Sequence, residues 1–171
     1  HNLAGSLYVR PLLRALGTRQ VYSASTVDQM PKHVSSGLLL GDPNAIPVPD
    51  LDRTGFLLML GANPFESNGS LCTAPDFPGR LRALRARGGR LVVVDPRRTR
   101  TAREADQHLA IRPGTDAHLL LALVQVLFAE GRVRPGRLAG MLDGLARLEA
   151  LAQPIAPEAV AVRTGLEADA I

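Results

Sequence analysis

Residues 91–123 read LVVVDPRRTRTAREADQHLAIRPGTDAHLLLAL, and the pattern in this stretch decides the fold. An apolar run over residues 91–94 ends in the carboxylate of Asp95, and the proline after it stops the run because proline donates no ladder hydrogen bond. Residues 108–111 repeat this pattern, and the polar sequence RPGTD follows at 112–116, before a strongly apolar helix. The stretch therefore predicts two buried strands, each followed by a polar loop that carries an aspartate.

A third buried strand is predicted at residues 56–60, and a turn with the sequence GANP follows it at 61–64. Residues 78–87 have an amphipathic pattern, which predicts a helix between this strand and the one at 91–94. Because parallel strands need crossovers of about a dozen residues, the alternation predicts an α/β fold with a mainly parallel, Rossmann-like sheet and helices on both faces. Right-handed crossovers bring the polar loops to one edge, where ligands of open α/β sheets bind.

The remaining segments are predicted to be mostly helical. In chain order they are a helix at 3–16 kinked by Pro11 and stopped by Gly17, a weak strand at 20–23, a helix from about Pro31, a loop at 41–53, a buried helix at 116–130, a helix at 135–152 and a helical segment from 154. We expect a Rossmann-like domain over residues 1–131 and a helical extension over residues 132–171, packed on that domain or leading to the next one. Because the sequence begins at His1 rather than Met, we expect a piece of a longer protein.

Composition excludes several classes of protein and of site. The 171 residues are 46% hydrophobic, which fits a globular domain, while 4% aromatic residues and no Trp disfavour a stacking surface for single-stranded nucleic acid. Cys72 is the single cysteine, so disulfides within the chain, thiolate zinc sites and cysteine-ligated clusters are excluded for this sequence. Apolar runs too short for a bilayer and the lack of a signal-peptide pattern predict a cytoplasmic protein without a membrane segment.

The positive charge is concentrated in one segment. The formal net charge is +4, and nine arginines lie within 24 residues: Arg80, Arg82, Arg85, Arg87, Arg90, Arg97, Arg98, Arg100 and Arg103. They could form a solvated helix face with a loop beside it, or a surface for nucleic acid. Arg97 and Arg98, in the loop after a strand, could instead bind the phosphates of a dinucleotide.

Each strand-end aspartate allows two interpretations. Asp95 could accept hydrogen bonds from the hydroxyls of a ribose, or it could cap a turn as an Asx residue. Asp116 could cap the helix that it begins, with a stabilisation of roughly 0.5 to 2 kcal/mol. Its carboxylate could equally accept hydrogen bonds from N1 and N2 of guanine, which adenine cannot donate. If Thr115 supplied the cap, Asp116 would be free for a ligand.

Two common nucleotide-binding motifs are missing from the sequence. No G-x-G-x-x-G occurs, so an ordinary nicotinamide domain is not expected. No G-x-x-x-x-G-K-[ST] occurs, and Lys32 is the only lysine, so hydrolysis of ATP or GTP on a P-loop is not expected either.

Three segments together resemble a known family. They are LGANPFES at 60–67, VVVDPRRTRTAREAD at 92–106 and HLAIRPGTDAHLLLAL at 108–123. In order and spacing they resemble the region that binds molybdopterin guanine dinucleotide in the molybdopterin oxidoreductase family, which includes formate dehydrogenases, nitrate reductases and dimethyl sulfoxide reductases. The resemblance covers roughly residues 1–130.

The resemblance implies that a guanosine diphosphate unit of the cofactor lies across the sheet edge. By motif position, Gly61, Asn63 and Pro64 line the phosphate and ribose side, Asp95 and Arg97 contact the nucleoside, and Gly114 and Asp116 contact the guanine. Ser67, Pro96 and Arg98 complete the expected cofactor-binding set. The cofactor of the parent protein would be bis-molybdopterin guanine dinucleotide with molybdenum or tungsten.

The family's metal-binding residue lies in the loop after the first strand, here residues 23–31. Aligning Pro31 and Gly41 with the family's proline and glycine puts Asp28 at the position of the metal ligand. A carboxylate is a suitable hard donor for an oxidised metal centre. Gln29 and Thr26 depart from the His and Arg that relatives have there, and Asp28 could instead cap the helix that begins near Pro31.

The resemblance also implies what the chain lacks. The family's iron–sulfur cysteines precede this region and a second dinucleotide-binding lobe follows it, so we expect the piece to be inactive alone and to bind cofactor weakly. Its partners would be the cofactor, the remaining domains of the parent and an electron-transfer protein. The alternatives are a non-catalytic subunit similar to the large subunit of NADH dehydrogenase, and a basic nucleic-acid-binding module.

Overall fold

The computed structural model describes residues 3–69, 72 and 74–171. The chain forms two compact units, His1–Pro47 and Val48–Ile171. The expected division of this chain between residues 131 and 132 stays a prediction.

The first unit is helical. It contains α1 (Leu3–Leu16), α2 (Ser25–Asp28) and α3 (Met30–Leu40). Pro11 lies inside α1, and Gly17 follows the helix with a φ of 62°. The strand predicted at 20–23 is wrong, because these residues are irregular and the Gln20 amide donates to the Thr18 hydroxyl at 3.1 Å. Such a local side-chain bond competes with strand pairing.

The second unit contains the sheet. Its strands are β1 (Phe56–Leu60), β2 (Arg90–Val94) and β3 (Gln107–Leu109), in the order β1-β2-β3. Both pairs are parallel, and the register aligns Leu60 with Val94 and Val94 with Leu109. The predicted parallel sheet is confirmed, and its strands end level with one another at their carboxyl ends.

Helices of the second unit follow each strand. They are α4 (Pro64–Ser67), α5 (Phe77–Ala86), α6 (Arg100–Glu104), α7 (Asp116–Ala129), α8 (Leu145–Ala152) and α9 (Pro157–Thr164), with 3₁₀ turns at Gly136–Met141 and Ala168–Ala170. The single helix predicted at 135–152 is wrong, because Gly144 has a φ of 80° and separates the 3₁₀ turn from α8. The short helix α6 was not predicted, and it takes Arg100 and Arg103 out of the expected loop.

The core lies on both faces of β2. Leu91 and Val93 pack with residues of α4, α5 and α6 in one apolar cluster, and Val94 packs with Ile111 and Leu119 in a second. The expectation of helices on both sides of the sheet is therefore confirmed at its central strand.

The edge strand and α7 are less buried than predicted. In β1 only Met59 is buried, while Phe56 is 54% and Leu58 is 36% exposed. In α7 only Leu119 and Ala122 are buried. The physical reason is the width of the sheet: three strands give an apolar helix too little surface to cover on all sides.

Candidate functional site

Three polar loops meet at the carboxyl edge of the sheet, one after each strand. Two hydrogen bonds link neighbouring strands and loops near the carboxyl ends of the strands. The Gly61 amide donates to the Val94 carbonyl at 2.8 Å, and His108 Nε2 lies 2.8 Å from the Asp95 carbonyl oxygen. The parallel register therefore brings the loops with Asn63, Asp95 and Asp116 to one edge, as the sequence predicted.

Asp95 directly follows β2 and is 7% exposed. Its Oδ1 accepts a hydrogen bond of 2.7 Å from the Arg97 amide, which is the Asx turn considered as the alternative to ligand binding. Among the described residues, no donor lies within hydrogen-bond distance of Oδ2. The turn thus fixes the carboxylate and uses one of its two oxygens.

Asp116 is the exposed first residue of α7. Thr115 is at the N-cap but makes no side-chain capping bond, and its hydroxyl donates to the Arg112 carbonyl at 2.7 Å. In the described part of the chain the Asp116 carboxylate also makes no hydrogen bond or ion pair. The Asp116 carboxylate at the start of α7 therefore remains open to a donor from outside the described chain.

The arginine-rich segment is mostly engaged in contacts within the protein, so the solvated-face interpretation is incomplete. Three of the arginines form ion pairs: Arg80 with Asp52, Arg85 with Asp106 at 3.0 Å and Arg100 with Glu66 at 3.4 Å. Two others donate hydrogen bonds, Arg87 to the Leu51 carbonyl and Arg90 to the Gln107 side chain. The guanidinium of Arg82 stacks over the Phe65 ring. Arg97 and Arg98 are exposed and have no carboxylate partner among residues 3–69, 72 and 74–171. Their charge is therefore available at the sheet edge.

Asn63 holds the loop after β1 against α6. Its Oδ1 accepts hydrogen bonds from the Thr101 hydroxyl at 2.7 Å and the Thr101 amide at 3.3 Å. The same hydroxyl accepts a hydrogen bond of 3.2 Å from the Phe65 amide, and Thr101 is completely buried. Thr101 was missed by the sequence analysis, because nothing separates a buried threonine from an exposed one within the run TRTA.

The other residues predicted on this edge have structural roles of their own. Pro64 is buried and begins α4, and the Ser67 hydroxyl donates to the Asn63 carbonyl at 3.3 Å. Gly61 and Gly114 have φ values of 63° and 78°, and a Cβ on either would meet no atom within 4 Å. These two glycines are therefore required here by backbone conformation rather than by close packing. Pro96 is exposed.

Asp106 connects three elements of the second unit. Its Oδ2 accepts a hydrogen bond of 2.8 Å from the Leu91 amide, and its Oδ1 accepts one of 3.0 Å from Arg85 Nε. The Leu91 amide is the main reason why the pKa of Asp106 lies below its usual range; the Arg85 guanidinium adds to the effect and partial desolvation opposes it. Asp106, which immediately precedes β3, thus joins that strand to β2 and α5, a role that the sequence pattern did not indicate.

Asp28 lies in the first unit, as the exposed last residue of α2. The alternative that it caps the next helix is wrong, because α3 begins after Gln29 without a side-chain capping bond. Its role as a metal ligand stays a prediction. No group of three or more His, Cys, Asp or Glu suited to a metal ion occurs in the described part of the chain. Within the same part, no helix has the length and apolar character to span a membrane.

Known proteins are similar in sequence to this chain. The chain is 27% identical over 124 residues to the F420-dependent formate dehydrogenase subunit alpha of Methanocaldococcus jannaschii, which covers 72% of this chain and 18% of that protein. It is 36% identical over 95 residues to a nitrate reductase of Shewanella frigidimarina, covering 56% of this chain and 10% of that one. The chain therefore spans at most about a fifth of the length of these relatives.

A solved structure also matches. The acetylene hydratase of Pelobacter acetylenicus superposes with a TM-score of 0.72 at 27% identity, over 94% of this chain and 21% of that one. The family model described as molybdopterin oxidoreductase matches residues 6–134, which is most of the sequence. The chain therefore belongs to the molybdopterin oxidoreductase family.

Proposed function

We propose that this chain binds the guanosine diphosphate part of a molybdopterin guanine dinucleotide cofactor in a molybdenum- or tungsten-dependent oxidoreductase. The observation that supports this most directly is the carboxyl edge of the sheet, where Asp95, Asp116, Arg97 and Arg98 belong to neighbouring loops and neither arginine pairs with a described carboxylate. Open α/β sheets bind nucleotides at this edge.

The donors and acceptors available there fit each part of the ligand. The Asp116 carboxylate can accept hydrogen bonds from N1 and N2 of guanine, and the free oxygen of Asp95 can accept from a ribose hydroxyl. Arg97 and Arg98 can neutralise the diphosphate because no carboxylate among the described residues does so for them. Asn63 acts through Thr101, by fixing the loop that faces the phosphates.

For the whole protein we propose an oxidoreductase in which Asp28 is a candidate ligand of the metal. When bound, the metal–pterin group would supply two-electron redox chemistry, and this chain would contribute the binding and orientation of one nucleotide arm. An iron–sulfur cluster elsewhere in the protein, the further domains and an electron-transfer partner belong to the same proposal. The reduction or oxidation of a particular substrate depends on residues outside this chain.

Nucleotide selectivity tests the proposal. We suggest titrating the chain with GDP, IDP and ADP and following amide shifts by NMR, which detects weak binding. GDP should bind at least about tenfold tighter than ADP, because adenine leaves the Asp116 carboxylate unpaired, and IDP should lie between them because it lacks the N2 amine. Asp116→Asn should remove the preference for GDP.

Asp143→Asn is the matched control, since Asp143 is also an exposed aspartate of the second unit and lies outside the proposed site. It should leave all three affinities unchanged. Equal binding of GDP and ADP by the unaltered chain, or an unchanged preference in Asp116→Asn, would contradict the assignment of Asp116 to guanine. The cofactor-dependent function would fail if the full-length protein, purified in native form, contained neither pterin nor metal.

A further inference from the structure

A second concave site lies between α7 and α9, on residues that the proposed nucleotide site does not use. The cleft has a volume of about 280 Å³, and six of its eight lining residues are apolar, among them Leu121, Ile155 and Val160. Among the described residues that line the cleft, two are polar, His118 and Arg163. The cleft thus has apolar walls with both polar groups on facing helices.

The polar groups contact each other. Arg163 Nη1 lies 3.2 Å from His118 Nε2, and a guanidinium can only donate, so Nε2 accepts and the imidazole proton is on Nδ1. That Nδ1 is buried and has no partner among the described residues. Arg163 is exposed, and no carboxylate of the described chain lies within ion-pair distance of it. The cleft accordingly carries one positive charge that no described residue neutralises.

We propose that this cleft binds a short aliphatic monocarboxylate. The alkyl chain would contact the apolar walls, and the carboxylate would pair with the Arg163 guanidinium, whose two parallel N–H groups match a carboxylate. A single arginine among apolar walls suits a monoanion better than a phosphate dianion, because each additional charge costs more desolvation. The volume is slightly below the roughly 300–1,000 Å³ usual for small-molecule pockets, so the chain must be short.

In this proposal His118 is a positioning residue. Its Nε2 accepts a hydrogen bond from Arg163 and holds the guanidinium at the cleft. His118→Leu should weaken carboxylate binding, whereas His118→Gln, whose amide oxygen can accept the same hydrogen bond, should restore most of it. A merely structural role for His118 would make the two variants alike.

The test is a chain-length series of acetate, butyrate and hexanoate, titrated into the full chain by NMR. Affinity should rise about fourfold with each methylene buried, until the cleft is full. Hexylamine should not bind, because its charge repels Arg163. Arg163→Gln should lower hexanoate affinity at least tenfold, and Arg147→Gln, an exposed arginine on α8, should leave it unchanged.

A second variant separates the cleft from surface ion pairing. Ala159→Phe fills the apolar part and keeps Arg163, so it should abolish the gain from butyrate to hexanoate and leave acetate binding as it was. Affinity that does not depend on chain length, or that survives in Arg163→Gln, would overturn the proposal. So would the absence of any shift with millimolar hexanoate in a chain shown by circular dichroism to be folded.

Discussion

Strands β1 and β2 lie side by side in one sheet, and both are apolar in sequence, yet they are buried to very different extents. Four of the five residues of β2 are buried, compared with one of five in β1. The β2 strand has a neighbour on each side and helices on both faces, whereas β1 is at the edge and only Leu57 and Met59 contact the apolar core. An apolar run therefore predicts a strand, while its burial depends on which neighbours the topology supplies.

The largest expected effect compares the same substitution in the two strands. Leu91→Ala in β2 should lower the free energy of unfolding by about 2–5 kcal/mol, because Leu91 is fully buried and a cavity would remain. Leu58→Ala in β1 should lower it by about 1–1.5 kcal/mol, since Leu58 is 36% exposed. Urea unfolding of both variants measures the difference. Equal losses would show that Leu58 is covered in solution.

The second prediction concerns the bond that ties the loop after β1 to α6. Thr101→Val keeps the shape and removes the hydroxyl, which leaves the Phe65 amide without a partner and Asn63 Oδ1 with one donor fewer. We expect a loss of about 1–3 kcal/mol in unfolding free energy. Thr101→Ser retains the hydroxyl and should cost less. If Thr101→Val left the free energy of unfolding unchanged, the hydrogen bonds of the Thr101 hydroxyl would not contribute to stability.

The third prediction concerns Asp106, which immediately precedes β3 and accepts a hydrogen bond from the Leu91 amide of β2. The pKa of Asp106 is lowered in the folded chain, so its contribution to stability is present above the unfolded value of about 3.9 and is lost as the pH falls through the folded pKa. Asp106→Asn should therefore destabilise the chain at pH 7, by no more than about 1 kcal/mol because the pair is partly solvated. The difference from the unaltered chain should shrink in unfolding curves recorded below pH 4. A difference independent of pH would assign the effect to packing.

The smallest effect is expected for the exposed charges of the proposed site. Arg98→Gln and Asp116→Asn should each change stability by less than about 0.5 kcal/mol, because neither side chain has a described partner. Thermal unfolding measures this, and the same variants should still lower GDP binding or selectivity. A large loss of stability from either would indicate a structural contact and weaken its assignment to the ligand.

The sequence predicted the sheet well because its signals are local. Apolar runs ended by proline or glycine gave all three strands to within two residues, and their parallel order followed from the helices between them. The common edge of the polar loops followed in turn from the parallel order. The predictions failed where longer-range packing or local side-chain hydrogen bonds determine the secondary structure. Residues 20–23, with the bond from the Gln20 amide to Thr18, and Gly144 are the two examples.

At the candidate site, the sequence indicated which residues are present but not how each is held. Asp95 and Asp116 were both identified, yet only the structure distinguishes the Asx turn of the first from the carboxylate of the second, which has no partner among the described residues. Thr101 and Asp106 were missed because their partners lie 38 and 15 residues away in the chain, at Asn63 and Leu91. Contacts at such separations leave no periodic pattern to read.

The hydrogen bonds between Asn63 and Thr101 have a consequence for the thermodynamics of ligand capture. They join the segment after β1 to the helix after β2, so the two sides of the proposed nucleotide site are already ordered relative to each other. A ligand that contacts both sides does not need to freeze two independent segments, and the entropic penalty of association falls accordingly. The affinity of the carboxyl edge of the sheet for a nucleotide is then determined mainly by the hydrogen bonds and ion pairs that the nucleotide makes there.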